Sequence, residues 1–146
     1  LLAHARLIDA DVLYVCDNHK PDDAEFQQWP VHAVGGTLGS EIVPELTPQG
    51  HDDVFLKQAI SALTNPEFVR FIEENVDGKV YVVGVATDHC VKTLVEGLGQ
   101  LEVDVGVVVD GIAGVDPVSS SVALMDMGLW AVPTTVDALI GQTEEK

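Results

Sequence analysis

The chain has few basic residues, few cysteines and no long apolar run, and each of these scarcities excludes a class of function. Only 7 of its 146 residues are lysine or arginine, against 24 aspartates and glutamates, so the formal net charge is −17. Such an acidic protein repels phosphate backbones and anionic headgroups, which excludes nucleic acids and membrane surfaces as partners. No run approaches the roughly 18 apolar residues of a membrane span, and we expect no signal peptide in Leu1–Arg6.

The two cysteines, Cys16 and Cys90, are too few for a disulfide framework. We therefore expect free thiols and a cytoplasmic protein. The acidity, with so few lysines, also fits the solvated surface of a halophile's protein. Apolar residues make up 47% of the chain, which favours a real core, and the length predicts a single domain over residues 1–146.

Short β-branched runs predict five strands separated by helices. The runs are apolar almost without interruption, which is typical of strands buried on both faces of a parallel sheet. They are Val12–Val15, Val54–Leu56, Val80–Val83, Val103–Val109 and Trp130–Val136. Helical patterns predict five helices. One ends near Ile8, one begins at Pro66, and three run from Thr87 to Gly99, from Pro117 to Met127 and from Val136 to Gln142. This alternation predicts an α/β fold of three layers, α/β/α, with a mainly parallel twisted sheet.

Cys90 lies where a strand turns into a helix. We expect it in the first helical turn, where the helix dipole and free N–H groups stabilise a thiolate and can hold an oxyanion. Ligands of open α/β sheets bind at this end of the strands. The alternative is a buried structural thiol. Cys16 also ends a strand, but no polar neighbour supports it as a nucleophile, and we assign it to the core.

Lys57 ends the run Val54–Leu56, so its ammonium is also predicted at the carboxyl end of a strand. There it could pair with the Cys90 thiolate and donate to a substrate. The alternative is an exposed lysine that caps a strand.

The segment from Asp17 to about Asp52 is long and irregular, which is typical of a functional loop. Asp17, His19, Glu25 and His32 supply two imidazoles and two carboxylates within its first half. This donor set suits Zn²⁺, Mn²⁺ or Fe²⁺ with positions open to water or substrate. The alternative is a polar loop in which the histidines occur by chance.

Three segments together resemble the nicotinamidase/pyrazinamidase family of isochorismatase-like cysteine hydrolases. They are Trp29–Glu41, Val54–Lys57 and Gly84–Val91, in the family's order and over nearly the whole chain. The resemblance implies that Cys90 is the nucleophile and that Lys57 is the lysine of the catalytic triad. It further implies that Asp17, His19, Glu25 and His32 hold one divalent metal ion, Zn, Mn or Fe.

The same resemblance implies that Trp29 stacks on a pyridine ring, which adds of order 1 kcal/mol of binding. It implies a cis peptide between Val85 and Ala86, with the N–H groups of Ala86 and Cys90 as the oxyanion hole. The implied reaction is the hydrolysis of nicotinamide, a small aromatic amide, through a thioester in NAD salvage. The implied assembly is a homo-oligomer.

The chain departs from the family pattern at one point. The family's first strand ends in a catalytic aspartate and lies mid-sheet, and no carboxylate of this sequence fits its place; Asp110 is expected to end an outer strand instead. We therefore expect a functional protein that is longer at its N-terminus, or a gap filled by another chain or a rearranged strand. Two alternatives stay open: an amidohydrolase of carbamoyl or ureido substrates, and a non-catalytic member that binds a small ligand.

Overall fold

The computed structural model describes residues 1–144, and it describes side chains as far as residue 141. Five strands and five α-helices follow one another along these residues. The elements are, in order, α1 (Leu2–Leu7), β1 (Leu13–Asp17), β2 (Asp53–Lys57), α2 (Pro66–Asn75), β3 (Val80–Val85), α3 (Lys92–Gln100), β4 (Val105–Ala113), α4 (Pro117–Met127), β5 (Ala131–Thr134) and α5 (Val136–Glu144). Every strand pairing between them is parallel. The α/β class with parallel strands is therefore confirmed.

The chain forms two compact units, the first Leu1–Glu67 and the second from Phe68 onward. In the first unit, β1 pairs with β2 in parallel, and the register places Asp17 opposite Lys57. Both residues end their strands, so two side chains of opposite charge leave the same edge of the sheet. The helix α1 is fastened to this unit by Arg6, which forms an ion pair with Asp52.

The segment between β1 and β2 is folded, although the sequence predicted an irregular loop. It contains three single turns of 3₁₀ helix, Ala24–Gln27, Leu38–Ser40 and Pro44–Leu46. A parallel bridge joins the start of the segment, at His19, to its middle, at Val34, and in this bridge the N–H of His19 donates to the carbonyl of Ala33 at 2.9 Å. This bridge brings the part of the loop that contains His32 back beside the end of β1.

In the second unit the strands follow the order β3–β4–β5, so β4 lies in the middle. A shift of register after Val82 lets β4 continue to pair with β3 as far as Ala113. The expectation that Asp110 ends an outer strand is therefore wrong, because Asp110 lies inside the middle strand. Its carboxylate accepts the N–H of Val136 at 3.0 Å and so caps α5.

Burial on both faces, which the sequence predicted for all five strands, holds only for the first half of β4, where Val105–Val108 are buried. Helices α3 and α5 both pack on this strand. No residue of β1 is fully buried, and Val54 of β2 and Val83 of β3 are exposed. The other strands have no such continuous run of buried residues, so their apolar runs did not indicate full burial. Within residues 1–144, no helix has the length and hydropathy of a membrane span.

Candidate active site and metal centre

Three residues of the predicted metal set come together in the first unit. Asp17, His19 and His32 offer ligand atoms that all lie within 4.8 Å of one another. The two imidazole rings meet edge to face, with their centroids 4.8 Å apart. Asp17 arrives as the last residue of β1, His19 is held by the bridge to the returning loop, and His32 lies on that loop. A carboxylate with two imidazoles is a donor set that Zn²⁺, Mn²⁺ and Fe²⁺ share.

Hydrogen bonds fix which nitrogen of each histidine is left for a ligand. The Nδ1 of His19 lies 3.0 Å from an oxygen of Asp23, and the Nδ1 of His32 donates to the carbonyl of Pro30 at 2.8 Å. Because a carboxylate and a carbonyl only accept, the neutral form of each ring carries its proton on Nδ1 and has its lone pair on Nε2. The Nε2 of His19 is buried and makes no hydrogen bond within the described part of the chain. The residues therefore fit a divalent metal ion.

Glu25, the fourth predicted ligand, lies at the edge of this cluster. Its Oε1 is 3.9 Å from the Nε2 of His32, and it is outside the group of three. The neighbouring Phe26 contacts both imidazole rings edge to face, with ring centroids 5.4 Å from His19 and 5.6 Å from His32. Both Phe26 and Asp23 were missed by the sequence analysis. Asp23 could have been found as a helix cap, because it is an aspartate directly before a helical turn.

Lys57 is buried, so the alternative of an exposed capping lysine is wrong. Its ammonium forms an ion pair with Asp17 and donates to the carbonyl of Ala59 at 3.0 Å. Asp17 therefore lies between Lys57 and the two histidines of the candidate metal centre. The sequence predicted Cys90 as the partner of this lysine, and that contact stays a prediction.

Trp29 lies between Glu25 and His32 on the loop, and its backbone N–H donates to the carbonyl of Glu25 at 3.0 Å. Its side chain is 39% exposed. The stacking role that the resemblance implies for Trp29 stays a prediction.

Cys90 belongs to the second unit and is half-buried. The peptide between Val85 and Ala86 is cis, at the position that the resemblance implies. The chain then forms one wide helical turn, Thr87–Val91, before α3 begins. Within it, the N–H groups of His89 and Val91 both donate to the carbonyl of Ala86, at 3.0 and 3.1 Å. Cys90 therefore lies in the first turn of the predicted helix, although that turn is wider than an α-helical one.

Hydrogen bonds to Asp88 connect this turn to the start of α4 and the segment before it. Its buried carboxylate accepts the N–H of Val115 at 3.1 Å, the N–H of Asp116 at 3.3 Å and the hydroxyl of Ser119. The hydrogen bond from Ser119, followed by that from Val115, holds the pKa of Asp88 well below its usual range. Sequence reasoning missed this role, because the donors lie 27 to 31 residues further along the chain.

The surroundings of Cys16 disfavour a thiolate. It is half-buried on β1, and burial followed by the negative charge of Asp17 raises the pKa of its thiol. A raised pKa leaves little thiolate near neutral pH. Cys16 is therefore a packing residue of β1, as the sequence suggested, although it is not fully buried.

Comparison with known proteins agrees with these observations. A family model, the Isochorismatase domain, matches residues 1–138. The chain belongs to the isochorismatase family. The nicotinamidase/pyrazinamidase of Mycobacterium tuberculosis is 31% identical over an alignment of 108 positions, and the match covers 68% of this chain and 58% of that protein. The chain spans little more than half the length of the two curated relatives it matches, 58% and 53%.

Two solved structures of the same family are similar in both sequence and fold. An isochorismatase-like hydrolase from Alkaliphilus metalliredigens is 29% identical with a TM-score of 0.83, over 92% of this chain and 74% of that one. An N-carbamoylsarcosine amidase from Thermoplasma acidophilum is 27% identical with a TM-score of 0.78, over 92% of this chain and 77% of that one. The isochorismatase-like fold that the resemblance implied is therefore confirmed.

Proposed function

We propose that the protein is a metal-dependent amidohydrolase that converts nicotinamide to nicotinate and ammonia in NAD salvage. The observation that carries this proposal is the cluster of Asp17, His19 and His32, in which the Nε2 of His19 is buried and has no hydrogen bond to any residue that the structure describes. The similarity to a nicotinamidase/pyrazinamidase supports the choice of substrate. Cytoplasmic location, homo-oligomeric assembly and a single domain over residues 1–146 stay predictions.

In the proposed reaction, the thiolate of Cys90 attacks the amide carbon. The N–H groups of Ala86 and Cys90 stabilise the oxyanion that forms, because donors aimed at developing charge lower the barrier most. The carbon–nitrogen bond then breaks, and the nitrogen leaves as ammonia with the proton that the thiol released. Water cleaves the thioester, which yields nicotinate and restores Cys90.

The other residues of the site have binding and positioning roles in this proposal. Asp17, His19, Glu25 and His32 would hold the metal ion. When bound, the metal would supply positive charge that orients the pyridine nitrogen of the substrate and polarises its ring. Trp29 stacks on that ring, and Lys57, which its ion pair with Asp17 holds in place, directs its ammonium to the reacting groups.

A second candidate function is the hydrolysis of a carbamoyl or ureido substrate. The similarity to an N-carbamoylsarcosine amidase, at 27% identity, favours it. Both reactions use a cysteine nucleophile and release ammonia, so they differ in the substrate and not in the chemistry of the thiol.

Ammonia release tests both candidates in one experiment. The reduced protein is incubated with Zn²⁺, Mn²⁺ or Fe²⁺ and with nicotinamide or N-carbamoylsarcosine. We expect ammonia from nicotinamide, loss of that activity in Cys90→Ser, and activity close to that of the unmodified protein in the matched variant Cys16→Ser. Release from N-carbamoylsarcosine alone would favour the second candidate, and release from neither substrate would contradict both.

A further inference from the structure

The carboxylate of Asp23 touches two of the proposed metal-binding residues at once. We propose that Asp23 is a positioning residue of the metal centre, which orients the ring of His19 and the backbone of Glu25. This inference rests on the metal site of the proposed function.

The first contact fixes the tautomer of His19. The Oδ2 of Asp23 lies 3.0 Å from the Nδ1 of His19, and the two side chains are 15% and 1% exposed. The carboxylate can only accept, so it keeps the proton of the ring on Nδ1 and the lone pair on Nε2. A carboxylate in this position also makes an imidazole a better ligand and fixes its rotation about χ2.

The second contact fixes the place of Glu25. The Oδ1 of Asp23 accepts the backbone N–H of Glu25 at 3.0 Å, and so Asp23 caps the turn Ala24–Gln27. The turn holds the Oε1 of Glu25 at 3.9 Å from the Nε2 of His32. Each oxygen of one carboxylate is therefore committed to a different residue of the metal set.

If Asp23 were only a helix cap, replacing it would affect the turn Ala24–Gln27 and not metal binding. The variant Asp23→Asn separates this capping role from the proposed positioning role. Asparagine is as good a cap as aspartate, and its single oxygen can keep the bond to the N–H of Glu25. Its NH₂ group then faces His19 and favours a proton on Nε2, which is the wrong tautomer for a ligand. We expect the apo variant to unfold at the same temperature as the unmodified protein but to bind metal more weakly.

The experiment measures the Zn²⁺ affinity by competition with a chelator and the visible spectrum of the Co²⁺-loaded protein. Loss of such an outer partner weakens metal binding by about 10–100-fold, and we expect a loss of this size and an altered Co²⁺ spectrum in Asp23→Asn. The control is Asp22→Asn, which removes the same charge from the exposed neighbouring residue and should bind Zn²⁺ within about twofold of the unmodified protein.

Asp23→Ser is a second variant in case Asp23→Asn fails to fold, since serine also caps helices but is too short to reach His19. Unchanged Zn²⁺ affinity and an unchanged Co²⁺ spectrum in the folded variant would overturn the inference. An unmodified protein that binds neither ion would overturn the proposed metal site and this inference together. A protein that binds Zn²⁺ with the expected differences but releases no ammonia would overturn the proposed function and leave the role of Asp23 supported.

Discussion

The ion pair between Lys57 and Asp17 predicts a stability change that depends on metal. In Lys57→Met the side chain keeps nearly the same length and loses its charge, so the measured effect reports the pair and not a cavity. The lysine side chain is 4% exposed and that of Asp17 is 27% exposed. Breaking a fully buried pair costs about 3–5 kcal/mol. Because water reaches part of Asp17, we expect a loss of about 2–4 kcal/mol.

Binding of Zn²⁺ should restore part of the folding stability that Lys57→Met loses. The ammonium and the proposed metal ion both neighbour Asp17, so removal of the ammonium removes a competing positive charge. If the Zn²⁺ affinity rises tenfold in the variant, saturating Zn²⁺ returns about 1.4 kcal/mol relative to the unmodified protein. The difference in the free energy of unfolding between the two proteins should therefore be smaller with Zn²⁺ than without it.

Urea unfolding with and without Zn²⁺ measures both effects. For a slope of about 2 kcal/mol per molar urea, a loss of about 3 kcal/mol lowers the midpoint by about 1.5 M. The control is Lys92→Met, which breaks the pair of Lys92 with Asp126, whose side chains are 30% and 43% exposed. An exposed pair contributes at most about 1 kcal/mol, without dependence on Zn²⁺. A midpoint for Lys57→Met no lower than that of Lys92→Met would refute the reasoning.

Two further predictions concern the second unit. Leu98→Ala, at a side chain that is 1% exposed, should lower the free energy of unfolding by about 2–5 kcal/mol in a urea titration, whereas the same change at exposed Leu129 should cost far less. Asp88→Asn should be less stable than the unmodified protein above pH 4, because the folded-state pKa of Asp88 is lowered and its charged form is the one that folding favours. As the pH falls below 4 through that lowered pKa, the two stabilities should converge; a difference that stays constant down to pH 2 would contradict the assignment.

The helices and strands were predictable because their signals are local. Apolar runs and helical periodicity predicted all ten elements, and the prediction for α4, Pro117 to Met127, has the bounds that the structure shows. The exceptions depend on residues far apart in the chain. The extension of β4 past Val109 follows from a register shift against β3, which only the pairing of two strands creates. The wide turn at Thr87–Val91 likewise has no separate signal, since its composition is that of an ordinary helix start.

Three residues that cluster at the candidate metal centre were predictable from the sequence, but the contacts that hold them were not. Asp17 and His19 are two residues apart at a strand end, a spacing that the sequence displays, and His32 follows within the same loop. The partner of Lys57 depends on the register between β1 and β2, across 40 residues of chain. That register decides which carboxylate the buried ammonium meets, and no pattern within either strand specifies it.

The acidic residues of the chain have two different roles, which the composition alone does not distinguish. All 24 acidic residues contribute to the net charge of −17. Asp17, Asp23 and Asp88 also have specific partners, which are Lys57, His19 and Ser119 respectively. A carboxylate that has such partners fixes a neighbouring group in one orientation, whereas a solvated one does not. Removing either kind changes the net charge by the same amount, so a difference between Asp23→Asn and Asp22→Asn isolates the positioning effect from the electrostatic field of the whole protein.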